Sequence, residues 1–353
     1  MNAGLQFEQL DLTRFDWDAV HAGLPDRMPY QTSAWLKFLS KTQRAEPVVA
    51  ALKDGQSTVG YFSGLIVCKF GLKILGSPFK GWSTDYMGFN LSEGIPRQLA
   101  LQALRHFAFH DLGCLHMEGM DRRTTFDDVK AAGLEFEPYT SWEIDLALPE
   151  EKMFSVMRHS CRSNIRKAER VGVQVEEACG LDFADDYYNQ LQEVFAKKSL
   201  VPTYSAERVR ELIRTIGPTG MLLLLRARHP EGCCVATAIF IGLKETAFAW
   251  GAASLRKYQV LRPNELLTWH AIKYWKSRGA IRLDYGGGGA YKQKFGATSI
   301  ALPWFRKSRY PLLEFMRSSA QRMVTARQRF WGNRTVQSFR KQDDSPESSD
   351  VEV

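Results

Sequence analysis

The two halves of the chain show the same order of periodicities. In each half, short apolar runs typical of strands precede a helix, which then leads to one more strand. In the first half, Lys53-Asp54-Gly55 separates two such runs as a hairpin turn does. In the second half, runs between residues 221 and 250 precede a helix opened by Pro263 and a strand over 281–285. This order predicts an α/β (α+β) fold built from two similar lobes.

The length of the chain agrees with two lobes, because single hydrophobic cores stop growing near roughly 250 to 300 residues and this chain has 353. We predict an N-terminal lobe over 1–148 and a second lobe over 149–305 that holds the active site. Residues 306–341 carry ten basic residues and one acid, and predict a basic amphipathic helix. Residues 342–353 carry five acids and no base, and predict a disordered acidic tail.

Composition excludes two classes of protein. With 44% hydrophobic and 24% charged residues the chain is not a disordered one, and no apolar run approaches the roughly 20 residues that a membrane-spanning helix needs. The N-terminus lacks the basic and apolar segments of a signal peptide, and the six cysteines form no C-x-x-C pair. We therefore expect a cytoplasmic protein with reduced, mostly buried thiols, whose basic C-terminal helix can contact the inner face of the membrane.

Arginines recur every fourth residue on the predicted helix 154–170, at positions 158, 162, 166 and 170. This spacing places them along one helix face, where like charges repel one another. One interpretation is an anionic partner, such as a phosphate or a nucleic acid. The other is a solvated face paired with acids of neighbouring elements.

The predicted strand 281–285 runs into four glycines, and Tyr291 and Lys292 follow shortly after. Loops at the carboxyl ends of strands commonly meet ligands, and glycine lets the backbone approach them closely. The run is no P-loop, because G-x-x-x-x-G-K-[ST] is missing. A ligand-binding loop and a flexible connection both remain open.

The sequence offers no support for a metal site or for a covalent nucleophile. His106 and His110 have the spacing of a ligand pair and His116 is near, but the Glu of H-E-x-x-H is missing. There is also no G-x-S-x-G motif and no cysteine with evident catalytic partners. We predict neither a bound metal nor a covalent intermediate.

Several stretches together resemble one family. The run RHSCRSNIRKAERVG at 158–172 is similar to a helix of FemABX-type transferases and of related CelD/BioF-like acetyltransferase domains, both within the GNAT superfamily. The other similar stretches are QTSAW at 31–35, TDYMG at 84–88, NELLTWHAI at 264–272, RLDYGG at 282–287 and YKQKFG at 291–296. Their order and spacing extend the resemblance over most of residues 28–300.

The resemblance implies tandem GNAT-like lobes that transfer an acyl group to an amine on a cell-envelope or polysaccharide precursor. Acyl-CoA, such as acetyl-CoA, is the favoured donor, since 172–220 is too short for the helical arm of many aminoacyl-tRNA users. Aminoacyl-tRNA is the alternative, because residues 256–262 read RKYQVLR and lack the usual loop for the CoA pyrophosphate. A non-catalytic RNA- or membrane-binding module is an alternative of another class.

The resemblance and the residue types together suggest the site residues. We expect Lys292 to meet a phosphate or an oxyanion, Tyr291 to position substrate or relay a proton, and Asp284 to accept the amine proton unless it is structural. The acceptor is expected to be a small amine, nucleotide- or lipid-linked, with tRNA as a further partner. The predicted substrate- and phosphate-binding residues are Arg158, Arg162, Arg166, Trp35, Tyr86, Arg262 and Asn264.

Overall fold

The computed structural model describes residues 4–69, 71–197 and 200–311, and the elements below lie within these ranges. The first half contains β1 (Gln6–Gln9), α1 (Trp17–Gly23), α2 (Ser33–Gln43), β2 (Glu46–Asp54), β3 (Ser57–Lys69), β4 (Leu72–Ser77), β5 (Gly88–Leu91), α3 (Arg97–His106), β6 (His116–Gly119), α4 (Phe126–Ala131) and β7 (Glu135–Asp145). The second half contains α5 (Glu150–Val156), α6 (His159–Arg170), β8 (Gln174–Ala178), α7 (Phe183–Ala196), α8 (Ala206–Ile216), β9 (Leu222–Arg228), β10 (Cys234–Leu243), β11 (Thr246–Ser254), α9 (Pro263–Ser277), β12 (Arg282–Asp284) and β13 (Thr298–Ser308).

All of these strands belong to one mixed sheet. Its order is β1-β2-β3-β4-β6-β13-β7-β12-β11-β10-β9-β8, and β5 pairs with β3. Each half has a single parallel pair, β4 with β6 and β11 with β12. A parallel pair needs a crossover connection, and the helices α3 and α9 provide it. The two halves therefore repeat one topology, as the sequence predicts.

The last strand joins the halves. β13 lies between β6 and β7 and is antiparallel to both, so a strand of the second predicted lobe completes the sheet of the first. The boundary between residues 148 and 149 stays a prediction. Arg306, Lys307 and Ser308 do not begin a helix as predicted, because they pair with β6 at the end of β13. The rest of that predicted helix from residue 312, and the acidic tail, lie outside the described residues.

The predicted helix 154–170 is two helices. α5 ends at Val156 and α6 begins at His159, and Arg158 between them is not helical, with φ −56° and ψ 145°. The Arg158 amide donates instead to the Lys294 carbonyl at 2.9 Å. A tertiary hydrogen bond thus interrupts the helix at Arg158, although the spacing of residues along the sequence predicts a continuous helix.

One core cluster is shared by the two halves. Trp35 and Phe38 of α2 pack in the same cluster as Tyr187 of α7 and Leu212 of α8. The opposite face of the sheet carries two separate clusters, one under α3 and α4 and one under α6 and α9. The shared cluster makes the position of each half depend on the other.

Two further observations concern the cysteines and the length of the apolar helices. All six cysteines are free thiols, but the expectation that most of them are buried is wrong: Cys114 and Cys161 are buried, whereas Cys68, Cys179 and Cys233 are exposed. Within the described ranges, no helix combines the length and the apolar character needed to cross a membrane.

Arg226 on β9 is a buried cation surrounded by three partly exposed carboxylates. Its side chain is 5% exposed, and its three nitrogen atoms lie 2.7 to 3.0 Å from carboxylate oxygens of Glu176, Asp182 and Asp186. Hydrogen bonds from Arg228 and Arg226 hold the pKa of Glu176 below its usual value, and Arg226 does the same for Asp182. Charge-assisted hydrogen bonds of this kind stabilise a fold most when one partner is buried.

We predict that Arg226→Met lowers the free energy of unfolding by about 2 kcal/mol at neutral pH, because three carboxylates lose their cation. The depressed pKa values mean that this stabilisation is present above the usual carboxyl pKa and is lost as pH falls through the folded values. The difference in melting temperature between variant and wild type should therefore be smaller at pH 3 than at pH 7. Arg14→Met is the control, since Arg14 is 88% exposed. An unchanged melting temperature of Arg226→Met at pH 7 would contradict the prediction.

Candidate active site

The parallel pairing of β11 with β12 is very short. It covers three residue pairs and ends where Phe248 faces Asp284, whereas β11 continues to Ser254. Beyond this point the two strands diverge, and within the described part of the chain no strand pairs with β11 over residues 249–254 on that side. Backbone groups on such an edge are free to bond a ligand.

Two cavities lie at this divergence. Cavity A, of about 440 Å³, extends from Ala252 toward the beginning of α9 and includes Arg262, Asn264 and Glu265 in its wall. Cavity B, of about 300 Å³, extends toward the first half of the chain and includes Asp85. The two cavities adjoin, since both are lined by Ala252, Tyr285 and Tyr291. Clefts of this size accept substrates of a few tens of atoms.

Asp85 and Asp284 form a pair of neighbouring carboxyl groups behind cavity B. Asp284 is fully buried and accepts hydrogen bonds from the Tyr86 hydroxyl at 2.6 Å, the Ser141 hydroxyl at 2.5 Å and the Gly286 amide at 2.7 Å. The Tyr30 hydroxyl donates to Asp85 at 3.2 Å. Asp85 is the member of the pair that lines the cavity.

Both carboxyl groups have raised pKa values. Desolvation, followed by repulsion from Asp284, raises the pKa of Asp85 to about 7. Burial also raises the pKa of Asp284, against the hydrogen bonds that it accepts. Two carboxyl groups at close range do not both ionise readily. A carboxyl that titrates near neutral pH at a cavity wall is suited to accept a proton from a substrate.

The glycine run forms a closed cradle around Lys292. The Lys292 ammonium, on a side chain that is 5% exposed, donates to the carbonyls of residues 285, 286 and 287. Gly286 and Gly288 adopt φ values of +67° and +108°, which L side chains rarely adopt. A Cβ at Gly287 would lie 2.6 Å from the Tyr139 hydroxyl oxygen, which accepts the Gly287 amide hydrogen. The run is therefore a built loop and not a flexible connection.

This geometry changes the role that we assign to Lys292. An ammonium has three hydrogens, and the three carbonyls account for all of them. Burial lowers the pKa of Lys292, and attraction to Asp284 and Asp85 opposes this shift. We therefore assign Lys292 to positioning the loop and balancing the two carboxyl groups, in place of the predicted contact with an oxyanion or phosphate.

The other predicted site residues fall into three groups. Tyr291, Arg262 and Asn264 line cavity A, and Tyr291 also lines cavity B. Trp35 and Tyr86 are wholly buried and line neither cavity, so the prediction that they bind substrate is replaced by a structural role. The Trp35 indole donates to Thr84 at 3.3 Å and the Tyr86 hydroxyl holds Asp284, so both brace the groups behind cavity B.

Arg158, which precedes α6, and the α6 residues Arg162 and Arg166 do not line cavity A. Arg158 donates to Gln293 at 2.9 Å, Arg162 donates to the Ser155 and Met157 carbonyls, and Arg166 stacks 5.4 Å from the centroid of the Phe154 ring. Arg162 thus stabilises the junction of α5 and α6. Binding of phosphate by these three arginines stays a prediction.

Sequence reasoning missed Asp85. The TDYMG stretch that contains it is singled out by the resemblance, but only Tyr86 was chosen from it. A carboxylate in a loop gives no signal of burial. Its significance depends on Asp284, which the fold brings from the far end of the chain.

Comparison with known proteins agrees with this topology. Residues 155–294 match the family model of an acetyltransferase (GNAT) domain. The fold is similar to the crystal structure of FemX, with a TM-score of 0.65 and 11% identity over 84% of this chain and 96% of that one. No curated protein sequence matches the chain.

Two further solved structures share the fold, with lower TM-scores than FemX. A tandem GNAT protein from the clavulanic acid biosynthesis pathway has a TM-score of 0.51 and 10% identity, covering 87% of this chain and 99% of its own. L-PGS from Bacillus licheniformis has a TM-score of 0.51 and 10% identity, covering 82% of this chain and 92% of its own. The predicted tandem GNAT-like fold is confirmed.

We predict that Lys292→Met opens the glycine loop, because three carbonyls lose their donor. Hydrogen exchange at the amides of Gly286 and Gly287 should accelerate at least about tenfold, and the melting temperature should fall. Lys294→Met is the matched control two residues away, since Lys294 bonds the Glu265 carboxylate at 2.9 Å and not the loop. Unchanged exchange at both glycines in Lys292→Met would show that the cradle does not hold the loop.

Proposed function

Because residues 155–294 belong to the GNAT superfamily of acyltransferases, we propose that the protein transfers an acyl group from acyl-CoA, such as acetyl-CoA, to an amine. We propose as acceptor a small molecule that is a precursor of the cell envelope or of a polysaccharide. The observation that carries this proposal is the opening between β11 and β12, which provides an unpaired strand edge between two adjoining cavities.

Cavity A suits the donor. An extended chain with amide groups, such as the pantetheine arm of CoA, can bond the free edge of β11 as an added strand would. Lys197 and Arg262 provide cations on the cavity wall for phosphates, while Lys294 balances the charge of Glu265. The reactive thioester then lies near Tyr291, where cavities A and B adjoin.

Cavity B suits the acceptor. Its wall includes Asp85, whose carboxylate can take the proton that an acceptor bound as the neutral amine loses on attack. A neutral amine is required, because the protonated form has no lone pair. Asp284 stays behind Asp85, where its three hydrogen bonds fix it and its proximity keeps the Asp85 carboxyl basic enough for this role.

The reaction follows from these positions. The amine nitrogen attacks the thioester carbon, a C–N bond forms, and Asp85 receives the amine proton. A backbone amide on the free edge of β11 stabilises the oxyanion of the tetrahedral intermediate. The C–S bond then breaks, and the Tyr291 phenol, which is protonated at neutral pH, donates its proton to the departing thiolate. Loss of the Asp85 proton to solvent and uptake of one proton by the Tyr291 phenolate restore both groups. No covalent intermediate with the protein is needed.

Aminoacyl-tRNA is the second candidate donor, and one observation favours it. The basic helix α6 contacts the wall of cavity A, because Asn164 donates to the Glu265 carboxylate at 3.0 Å, and Arg158, just before α6, bonds Gln293 next to the lining residue Lys294. A nucleic acid whose end entered cavity A would pass these arginines. The chemistry at cavity B is the same for an ester as for a thioester.

The donor is tested by offering radiolabelled acetyl-CoA and charged tRNA separately to the purified full chain, with amino sugars and peptides as acceptors. We expect label transfer from acetyl-CoA, and Arg166→Met should leave its rate unchanged. Transfer from charged tRNA alone, weakened by Arg166→Met and by salt, would replace the acyl-CoA proposal by the aminoacyl one. Binding of RNA or anionic vesicles without any transfer would contradict both and favour a non-catalytic module.

We predict that Asp85→Asn lowers kcat at least about 100-fold, the usual contribution of a general base. In wild type, kcat/KM should rise with pH and level off above about 7, because the raised pKa keeps Asp85 protonated below that value. Asp127→Asn is the control, as Asp127 is 93% exposed. A wild-type pH profile retained by Asp85→Asn would identify another base.

The same ionisation affects stability in a calculable direction. Between the usual carboxyl pKa of 3.8 and the folded value of about 7, the folded protein holds a proton that the unfolded chain releases. The melting temperature should therefore fall as pH rises across this interval, and Asp85→Asn should remove that part of the fall.

A further inference from the structure

Arg208 on α8 is buried without a counter-charge. Among the described residues two arginines are buried, Arg208 and Arg226. Arg226 is surrounded by three carboxylates. No carboxylate of the described residues lies within ion-pair distance of Arg208, and its Nε atom is buried without an acceptor.

The contacts of Arg208 are neutral. Its Nη2 atom donates to the Trp82 carbonyl at 2.9 Å, and the Gln43 amide oxygen, oriented toward it, lies 2.7 Å from Nη1. The guanidinium carbon lies 5.2 Å from the Tyr204 ring centroid and 5.8 Å from that of Phe38. Burial lowers the pKa of Arg208. Aromatic faces and carbonyls offset part of the desolvation cost of a cation, but less completely than a carboxylate does.

Burying a cation without a counter-charge lowers the free energy of unfolding, because the cation loses its hydration. Replacing an ionic group in a protein interior by an apolar one of similar volume is often neutral or stabilising. Folding stability alone therefore does not account for an arginine at this position. The hydrogen bond from Arg208 to the Trp82 carbonyl indicates a different role.

That contact is the start of the loop that carries Asp85. The loop, residues 82–86, is held at each step by a different element. Arg208 bonds the Trp82 carbonyl, Trp35 bonds Thr84, and Tyr30 bonds Asp85. Tyr86 then bonds Asp284. Ser83, next to Trp82, has a φ of 56° and lines cavity B, so the chain turns sharply between the Arg208 contact and Asp85.

We propose that Arg208 is a positioning residue for the Asp85 carboxyl. By holding the Trp82 carbonyl against α8, a helix of the second half, it fixes a loop of the first half so that Asp85 stays beside Asp284 at cavity B. The inference rests on the proposed function, in which Asp85 is the base. It gives the otherwise unfavourable burial of this cation a catalytic purpose.

The decisive variant is Arg208→Met, which keeps the aliphatic volume and removes the charge and the hydrogen bond. We expect its melting temperature to be equal to or above that of wild type, its kcat to fall at least about tenfold, and its KM for the donor to be unchanged. Arg208→Lys should recover part of kcat, because an ammonium can still donate to the Trp82 carbonyl. Arg226→Met is the matched control, with a lower melting temperature and an unchanged kcat.

Coupling to Asp85 is measured by a double-mutant cycle. If Arg208 acts through Asp85, Arg208→Met should have no further effect on kcat in the Asp85→Asn background. Without any activity assay, the fall in melting temperature between pH 4 and pH 7 should become smaller in Arg208→Met, because a released Asp85 is better solvated. The groups that face Asp85 in wild type, and must be allowed for in both profiles, are Tyr30, Tyr86, Tyr139, Asp284 and Lys292.

The outcomes separate the two proposals. If wild type transfers no acyl group from any donor, the proposed function fails, and the pH dependence of the melts still tests whether Arg208 holds Asp85. If wild type is active and Arg208→Met is equally active with the same pH profile, the positioning role is wrong. A melting temperature that falls in Arg208→Met, with effects on kcat that are additive to those of Asp85→Asn, would make Arg208 a structural residue and would also overturn the inference.

Discussion

The early end of the β11–β12 pairing is the constraint on which the rest of the site depends. Three parallel pairs fix Asp284 at the end of β12, and beyond them the strands diverge. Had the pairing continued, the edge over residues 249–254 would be bonded within the sheet and neither cavity would open beside it. Because it stops, one break in the ladder supplies free backbone groups, two adjoining cavities and a buried carboxyl at the same point.

The repeated topology makes the difference between the halves informative. The first half has the same kind of parallel pair, β4 with β6, and a buried aspartate, Asp121, soon after it. Asp121 bonds the Arg97 guanidinium at 2.5 Å and the amides of Phe89 and Arg123. Asp284 is held instead by hydroxyl groups and one amide, with a second carboxyl nearby. The guanidinium balances the charge of Asp121, whereas Asp284 lies beside a second carboxyl group and helps to raise the pKa of Asp85.

Local patterns predicted what local interactions determine. α9 begins at Pro263 as expected, because its capping proline and periodicity lie within the segment. Tyr291, Lys292 and Asp284 come together because one short stretch of chain carries them. Asp85 could not be found in this way, because its partner Asp284 is distant in sequence. The neighbouring residue Tyr86, which bonds Asp284, is 198 residues away from it along the chain. The insertion of β13 and the burial of Trp35 likewise depend on contacts between the halves.

The arrangement of charges at cavity B explains how Lys292, Asp85 and Asp284 can lie close together. Lys292 has all three hydrogens on carbonyls, so it lowers the cost of ionising the carboxyl groups without neutralising either by a direct bond. Asp284 takes three hydrogen bonds and is enclosed, which leaves Asp85 as the carboxyl with access to substrate. A lysine paired directly with Asp85 would make that carboxylate too weak a base for amine chemistry. The glycines therefore contribute to the basicity of Asp85 indirectly. They turn their carbonyls toward Lys292, so its ammonium lies near Asp85 but donates its hydrogens to the loop.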